Sequence, residues 1–181
     1  MKNKSLIATV FVLVAVIALA AAVYPSLAEK AVETTTAEQV SIADTVQYQK
    51  YTDVRIFDKN GNDVMLSDFE GKPVILNFWA TWCGYCIQEM PDFEEAYKQY
   101  GGEIQFLIVN TDDGIGNGEK FIESRGYTFP TYYDLQYNAA ITYGISGIPR
   151  TIAIDSEGNI RYNRSGMIDA DALQSIIDMI K

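Results

Sequence analysis

The residues with the clearest capacity for chemistry are two cysteines, Cys83 and Cys86, separated by Gly-Tyr. They follow an apolar run from Val74 to Trp79, which is typical of a strand buried on both faces of a sheet. After the cysteines, apolar residues recur at the spacing of one helix face. These are Ile87, Met90, Phe93, Tyr97 and Tyr100. The pattern therefore places the cysteine pair where a buried strand passes into the first turn of a helix.

This position favours thiol–disulfide exchange. The free N–H groups and the positive dipole end at a helix N-terminus stabilise an anion, so we expect Cys83 to be the thiolate that attacks. Cys86 lies one helical turn further on. Such a pair can meet the Cα separation of roughly 4.4–6.8 Å that a disulfide requires. We therefore expect Cys86 to resolve the mixed disulfide that Cys83 forms.

Two other roles for the pair have less support. A zinc site needs four ligands, or three and a water molecule, and the chain has no histidine and no third cysteine. A structural cross-link over so short a loop would restrict the unfolded chain very little. We therefore predict a redox-active disulfide between Cys83 and Cys86, with no metal and no further cofactor.

The segment from Phe78 to Cys86, Phe-Trp-Ala-Thr-Trp-Cys-Gly-Tyr-Cys, resembles the active site of the thioredoxin superfamily. Pro91 matches the proline that kinks the active-site helix in that superfamily, and Asn77 stands where thioredoxin itself has a buried aspartate. Asn77 and Glu89, in the pattern Cys-x-x-Cys-x-x-Glu-x-Pro, are similar instead to the TlpA/ResA-like branch of membrane-anchored thiol-disulfide oxidoreductases. The resemblance covers about residues 51 to 181.

The resemblance implies an α/β thioredoxin-like fold, with a central mixed β-sheet flanked by helices. It also implies a β-hairpin at the start of the domain, which fits the turn residues of 58–63, and a central α insertion near 138–143. Residues 111–118 are polar and rich in glycine, and we expect them to form a connection before a short helix at 119–125.

The resemblance further implies residues that support the cysteines. Ile148-Pro149 matches the pair whose peptide bond is cis and whose proline faces the active site. Glu89 matches an acidic residue that would pass protons during exchange, and an ordinary solvated helix glutamate is the alternative. We expect Asn77 to be a polar core residue that forms local hydrogen bonds, without a role in proton transfer.

Three residues beside the cysteines complete the predicted site. Trp82 directly precedes the nucleophile and is expected to shape a docking surface, with simple rim packing as the alternative. Gly84 and Tyr85 depart from the charged or proline-containing dipeptides that are common between the cysteines of this superfamily. Because no histidine lies between the cysteines, we expect a reducing or intermediate potential.

The N-terminus carries a second strong signal. Lys2 and Lys4 precede an apolar stretch, Leu6 to Val23, in which Thr9 is the only polar residue. Its length is at the low end of what spans a bilayer and exceeds the usual apolar region of a signal peptide. We predict an uncleaved anchor with its N-terminus in the cytoplasm and the rest of the chain outside. Cleavage at the small residues of 20–22 or 26–28, which would give a secreted protein, is the alternative.

These observations predict an anchor or signal segment (1–28), a flexible tether (29–50) and a thioredoxin-like domain (51–181). The net charge of −10 argues against nucleic-acid binding. The hypothesis is an extracytoplasmic, membrane-tethered protein-disulfide reductase. The resemblance implies a membrane thiol electron donor and oxidised clients such as apocytochromes as partners. A disulfide-forming oxidase that uses the same residues and a non-catalytic binding module are the alternatives.

Overall fold

The computed structural model describes residues 48–181 and, before them, Ile17 alone. Apart from Ile17, the predicted anchor or signal segment therefore lies outside the described residues, and so does most of the predicted tether. Within the described part of the chain, no helix combines the length and the apolar composition that crossing a bilayer requires. Residues Tyr48–Lys181 form one compact unit.

This unit contains seven strands, four α-helices and a short 3₁₀ helix, in an order that confirms the predicted α/β thioredoxin-like fold. The elements are β1 (Arg55–Phe57), β2 (Asp63–Met65), the 3₁₀ helix (Leu66–Phe69), β3 (Val74–Trp79), α1 (Gly84–Tyr100), β4 (Gln105–Asn110), α2 (Ile115–Arg125), β5 (Thr131–Tyr133), α3 (Asn138–Thr142), β6 (Arg150–Ile154), β7 (Ile160–Ser165) and α4 (Ala170–Ile180). The strands form one mixed sheet in the order β2-β1-β5-β4-β3-β6-β7. The pair β1–β2 is the predicted hairpin, and α3 is the predicted insertion.

Strand β3 lies inside the sheet and determines where the cysteines emerge. It pairs in parallel with β4 and antiparallel with β6, and all of its residues are buried because core clusters cover both faces of the sheet. Successive side chains of a strand point to opposite faces. Ile75 and Trp79 accordingly belong to the core cluster that contains residues of α1 and α4, whereas Leu76 and Phe78 belong to the cluster on the other face. By the same alternation, Asn77 points to the face that α1 covers.

The sequence prediction was wrong for residues 115–118, which belong to helix α2 and not to a connection. The chain turns at Gly114, whose φ of 87° is a conformation that glycine adopts readily, and the helix begins at Ile115. Gly118 lies inside the helix, where a Cβ atom would come within 2.9 Å of Asn110 Cγ and 3.0 Å of Tyr133 Cε1. This glycine therefore permits close packing of α2 on the sheet and does not mark a loop.

Helix α1 carries a buried glutamate, Glu94, that joins it to the segment before β5. Its Oε2 accepts hydrogen bonds from the backbone N–H groups of Thr128 (2.8 Å) and Phe129 (3.3 Å), and its Oε1 accepts one from the Thr128 hydroxyl (2.8 Å). Burial opposes ionisation of this carboxyl, but the hydrogen bonds from Thr128 and Phe129 outweigh it, so the pKa of Glu94 is lowered. The ionised Glu94 side chain therefore connects α1 to this segment through hydrogen bonds.

Replacement of Glu94 by glutamine should lower the free energy of unfolding by about 2 kcal/mol, because an amide nitrogen cannot accept the hydrogen bonds that one carboxylate oxygen accepts. Urea denaturation of the oxidised full chain measures this loss. Glu95→Gln is the matched control, because Glu95 also contacts Lys98 but is exposed. That variant should change the free energy by less than about 0.5 kcal/mol. Equal losses in both variants would show that the contacts to Thr128 and Phe129 contribute nothing.

Candidate active site

The two cysteines lie at the N-terminus of α1, as the sequence predicts. Cys83 is the N-cap residue of this helix, and its Sγ accepts a hydrogen bond from the backbone N–H of Cys86 at 3.2 Å. The two residues form a disulfide, with their Cα atoms 5.3 Å apart. The sulfur of Cys83 is therefore placed at the end of the helix where free N–H groups and the helix dipole stabilise a negative charge.

The two cysteines differ in accessibility. Cys86 is fully buried in the core beside Trp79 and Met90, whereas Cys83 exposes 7% of its surface. Cys83 thus reaches the surface, although only a small part of it is exposed. The neighbours that project into solvent are Trp82, exposed by 73%, and Tyr85, exposed by 66%. A partner protein that approaches the disulfide therefore meets these two rings and can reach only Cys83.

The loop that leads from β3 to Cys83 is held by a buried carboxylate that the sequence analysis missed. The backbone N–H of Thr81 lies 3.3 Å and 3.1 Å from the two carboxylate oxygens of Asp112. Asn110 fixes this carboxylate in turn, because its Nδ2 donates to Asp112 Oδ2 at 3.2 Å and its Oδ1 accepts from Asp112 N–H at 3.0 Å. The position of Asp112 in the sequence could have indicated this role. Asp112 follows β4, which is the parallel neighbour of β3, so it lies at the same edge of the sheet as Cys83.

Glu89 lies one turn beyond Cys86 and is only 1% exposed, which excludes the alternative of a solvated helix glutamate. Its Oε1 accepts a hydrogen bond from Asn77 Nδ2 at 2.7 Å, and its Oε2 accepts one from the backbone N–H of Ile168 at 3.0 Å. Asn77 Nδ2 also donates to the hydroxyl of Thr151 at 3.2 Å. The contact of Asn77 with Thr151 and that of Glu89 with Ile168 were not predicted, because the partners are distant in the sequence.

Burial raises the pKa of Glu89 from 4.5 to about 7. The hydrogen bonds from Ile168 and Asn77 act in the opposite direction because they favour the carboxylate, and the negative charge of Asp92 adds a smaller rise. Residues three apart on a helix lie on the same face, so Glu89 and Cys86 share the buried side of α1. A carboxyl group that can gain or lose a proton near neutral pH therefore lies on the same buried helix face as Cys86.

The predicted proline also lies at the site. The Ile148–Pro149 peptide bond is cis, as the resemblance implied. The carbonyl of Pro149 accepts a hydrogen bond from Gly166 N–H at 2.9 Å, which joins this loop to the end of β7. Ile148 and Trp82 line one groove, so the cis-proline loop and the loop before Cys83 both border it.

Comparison with known proteins agrees with this geometry. The sequence matches the AhpC/TSA family over residues 47–163. It is 35% identical over 130 residues, 71% of this chain and 75% of the relative, to the thiol-disulfide oxidoreductase ResA of Geobacillus thermodenitrificans strain NG80-2. ResA of Bacillus subtilis strain 168 is 31% identical over 125 residues, which are 68% of this chain and 70% of that protein.

A solved structure leads to the same conclusion. The crystal structure of the pneumococcal exposed lipoprotein thioredoxin Etrx1, from Streptococcus pneumoniae strain TIGR4, superposes with a TM-score of 0.61 at 28% identity. The match covers 70% of this chain and 99% of that chain. The shared fold, the disulfide at the helix N-terminus and the named relatives agree: the chain belongs to the AhpC/TSA family and to the TlpA/ResA-like thiol-disulfide oxidoreductases of the thioredoxin superfamily.

Proposed function

We propose that this chain reduces disulfides of client proteins on the outer side of the cytoplasmic membrane. The observation that carries the exchange chemistry is the asymmetry of the cysteine pair, and the reducing direction is supported separately by the buried Glu89. Cys83 reaches the surface at the N-terminus of α1, whereas Cys86 is fully buried behind it. In the reduced protein, Cys83 is therefore the nucleophile and Cys86 is the resolving thiol.

The exchange has two steps. The Cys83 thiolate attacks one sulfur of the client disulfide, so the client S–S bond breaks and its other sulfur leaves as a thiolate. The Cys86 thiolate then attacks the Cys83 sulfur, which forms the Cys83–Cys86 disulfide and releases the second client sulfur. The client gains two electrons and two protons, and this protein is oxidised. A dithiol protein in the membrane, as the electron donor, returns the two electrons.

The acidic group behind the cysteines supports the reducing direction. A strong oxidant of this fold owes its potential to a stabilised thiolate in the reduced form. Here Glu89, when ionised, would place a buried negative charge on the same face of α1 as Cys86 and thereby disfavour the thiolate. Destabilising the reduced, ionised form lowers the reduction potential, so the dithiol becomes a better electron donor.

Glu89 also supplies a route for protons. Cys86 must lose its proton to attack Cys83, and this sulfur has no access to solvent in the oxidised protein. With a pKa of about 7, Glu89 can accept that proton and later release it. Asn77 and the Ile168 N–H hold the carboxyl in place and limit the rise in its pKa.

The proposed location and partners depend on the sequence. Lys2, Lys4 and the apolar stretch Leu6–Val23 favour an anchor that leaves the domain outside the cytoplasm. In that oxidising compartment a dithiol stays reduced only if electrons are delivered to it, which is why we propose the membrane donor. Apocytochromes, whose cysteines must be reduced before haem attachment, are the clients that the family resemblance favours.

The direction of exchange is tested by the reduction potential, measured in glutathione buffers, and by the reduction of insulin. We expect a potential below about −200 mV and rapid insulin reduction. A potential near the roughly −120 mV of a strong oxidant would favour the disulfide-forming oxidase instead. Absence of exchange with glutathione and with insulin would favour a non-catalytic binding module.

A further inference from the structure

A groove with a volume of about 510 Å³ lies beside the disulfide. Trp82, which directly precedes Cys83, forms one wall, and Ile148, which precedes the cis-proline, forms part of another. The remaining lining residues come from the loop after β4 and from the segment around α3. The volume falls in the range of about 300–1,000 Å³ that binds small ligands, so the groove can accept a few side chains of an extended polypeptide.

The walls of this groove present apolar surface to solvent. Trp82 is exposed by 73% and Tyr137, the residue before α3, by 45%. Ala140, Ile145 and Ile148 add aliphatic groups. Tyr137 has a φ of 54°, a backbone conformation that is uncommon for an aromatic residue and that is found preferentially at functional sites. Exposed apolar surface beside a reactive disulfide is typical of a protein interaction site.

The charge of the groove is negative. Asp112 and Asp113 line it, and its nine described lining residues include no lysine or arginine. The Asp112 carboxylate is buried and is occupied by Thr81 and Asn110. Asp113 is exposed, and the Tyr137 hydroxyl donates to its Oδ1 at 3.0 Å. Among the residues that the structure describes, no other hydrogen bond reaches this carboxylate. Asp113 is therefore the anionic group that a bound client would meet.

Given that a client lies in this groove during exchange, we propose that Asp113 selects clients with a lysine or arginine next to the cysteine under attack. The inference rests on the proposed function and specifies its substrate class. The apolar walls accept a neighbouring aliphatic or aromatic side chain of the client. The basic side chain pairs with the Asp113 oxygen that the Tyr137 hydroxyl leaves unoccupied.

The test uses two short peptides closed by a Cys-Gly-Ser-Cys disulfide, one flanked by lysines and one by glutamates. The second-order rate of exchange with the reduced full chain is followed by acid quenching and chromatography. At low salt, the lysine peptide should react about tenfold faster, and the ratio should fall as ionic strength rises. In Asp113→Asn, the ratio should fall to about threefold or less, because the local charge is gone and only the net charge remains.

Asp171→Asn is the matched control. It removes the same net charge, and Asp171 is exposed in the first turn of α4. Its ratio should equal that of the wild type. Equal reaction of both peptides with the wild type, or equal ratios in Asp113→Asn and Asp171→Asn, would overturn the inference.

Bis(2-hydroxyethyl) disulfide, a small neutral substrate, separates the two proposals. If it reacts while the peptides do not differ, only the selection by Asp113 fails, and if nothing reacts, the proposed function fails as well.

Discussion

Replacement of Cys86 by serine should stop turnover and leave the protein covalently attached to its clients. Cys83 remains at the helix N-terminus and still attacks, but no thiol within the protein can release the mixed disulfide. An external thiol must then replace an intramolecular one, so we expect turnover to fall at least about 10³-fold. Insulin reduction measures this loss. Non-reducing gels of membrane extracts should show covalent complexes that dithiothreitol separates by reducing the mixed disulfide.

Cys83→Ser is the matched control for this experiment. It should be equally inactive, but it should form no complexes, because Cys86 is fully buried and cannot reach a client disulfide. If the two serine variants trap clients to the same extent, or if Cys86→Ser alone traps none, the assigned roles of nucleophile and resolving thiol are wrong.

The features that were predictable from sequence are those that depend on neighbouring residues. The apolar run of β3, the helical spacing that follows it and the position of the cysteines between them are local patterns, and the structure has each of them. The cis peptide bond at Pro149 is different, because it followed from the resemblance and not from the residues themselves. The hairpin turn at 58–62 was also local, since Asp58 accepts hydrogen bonds from the backbone N–H groups of Asn60 and Asn62.

The features that were missed depend on contacts between distant parts of the chain. Gly118 looked like a loop residue because its packing against Asn110 and Tyr133 cannot be read from its neighbours. Asp112 looked like one polar residue among several, because its partner Thr81 lies in the loop after a different strand, β3. Asn77 did stand out as the one polar residue in the apolar run of β3, but its partner on α1 became clear only from the packing.

Glu89→Gln should lower the rate of client reduction about 10²-fold at pH 7, because it removes the buried proton carrier. In the wild type, the pH dependence of exchange should show an inflection near the Glu89 pKa of about 7, and the variant should lack it. The thiol titration of the reduced protein should also move to lower pH in the variant, because a neighbouring negative charge no longer opposes the thiolate. Stopped-flow insulin reduction and thiolate absorbance, both followed against pH, measure these effects.

Stability gives an independent measurement of the same group. The folded-state pKa of Glu89 is raised, so the unfolded chain loses this proton near pH 4.5 while the folded chain keeps it until about pH 7. The contribution of Glu89 to the free energy of unfolding is therefore greatest below pH 4.5 and declines as the pH rises to about 7, by about 3 kcal/mol. In Glu89→Gln this decline should vanish. Glu89→Gln also loses a hydrogen bond from Asn77 or Ile168, which lowers the free energy of unfolding by an amount that does not depend on pH.

The difference between the unfolding free energies of wild type and variant, measured in urea from pH 4 to pH 8, isolates Glu89 from the other carboxyl groups. Glu95→Gln is the control, because it removes the same charge from an exposed glutamate on the same helix. A flat difference for Glu89→Gln, together with an unchanged rate profile, would show that Glu89 is ionised throughout. The hydrogen bonds from Asn77 and Ile168 would then outweigh its burial, and the proton route behind the disulfide would have to begin elsewhere.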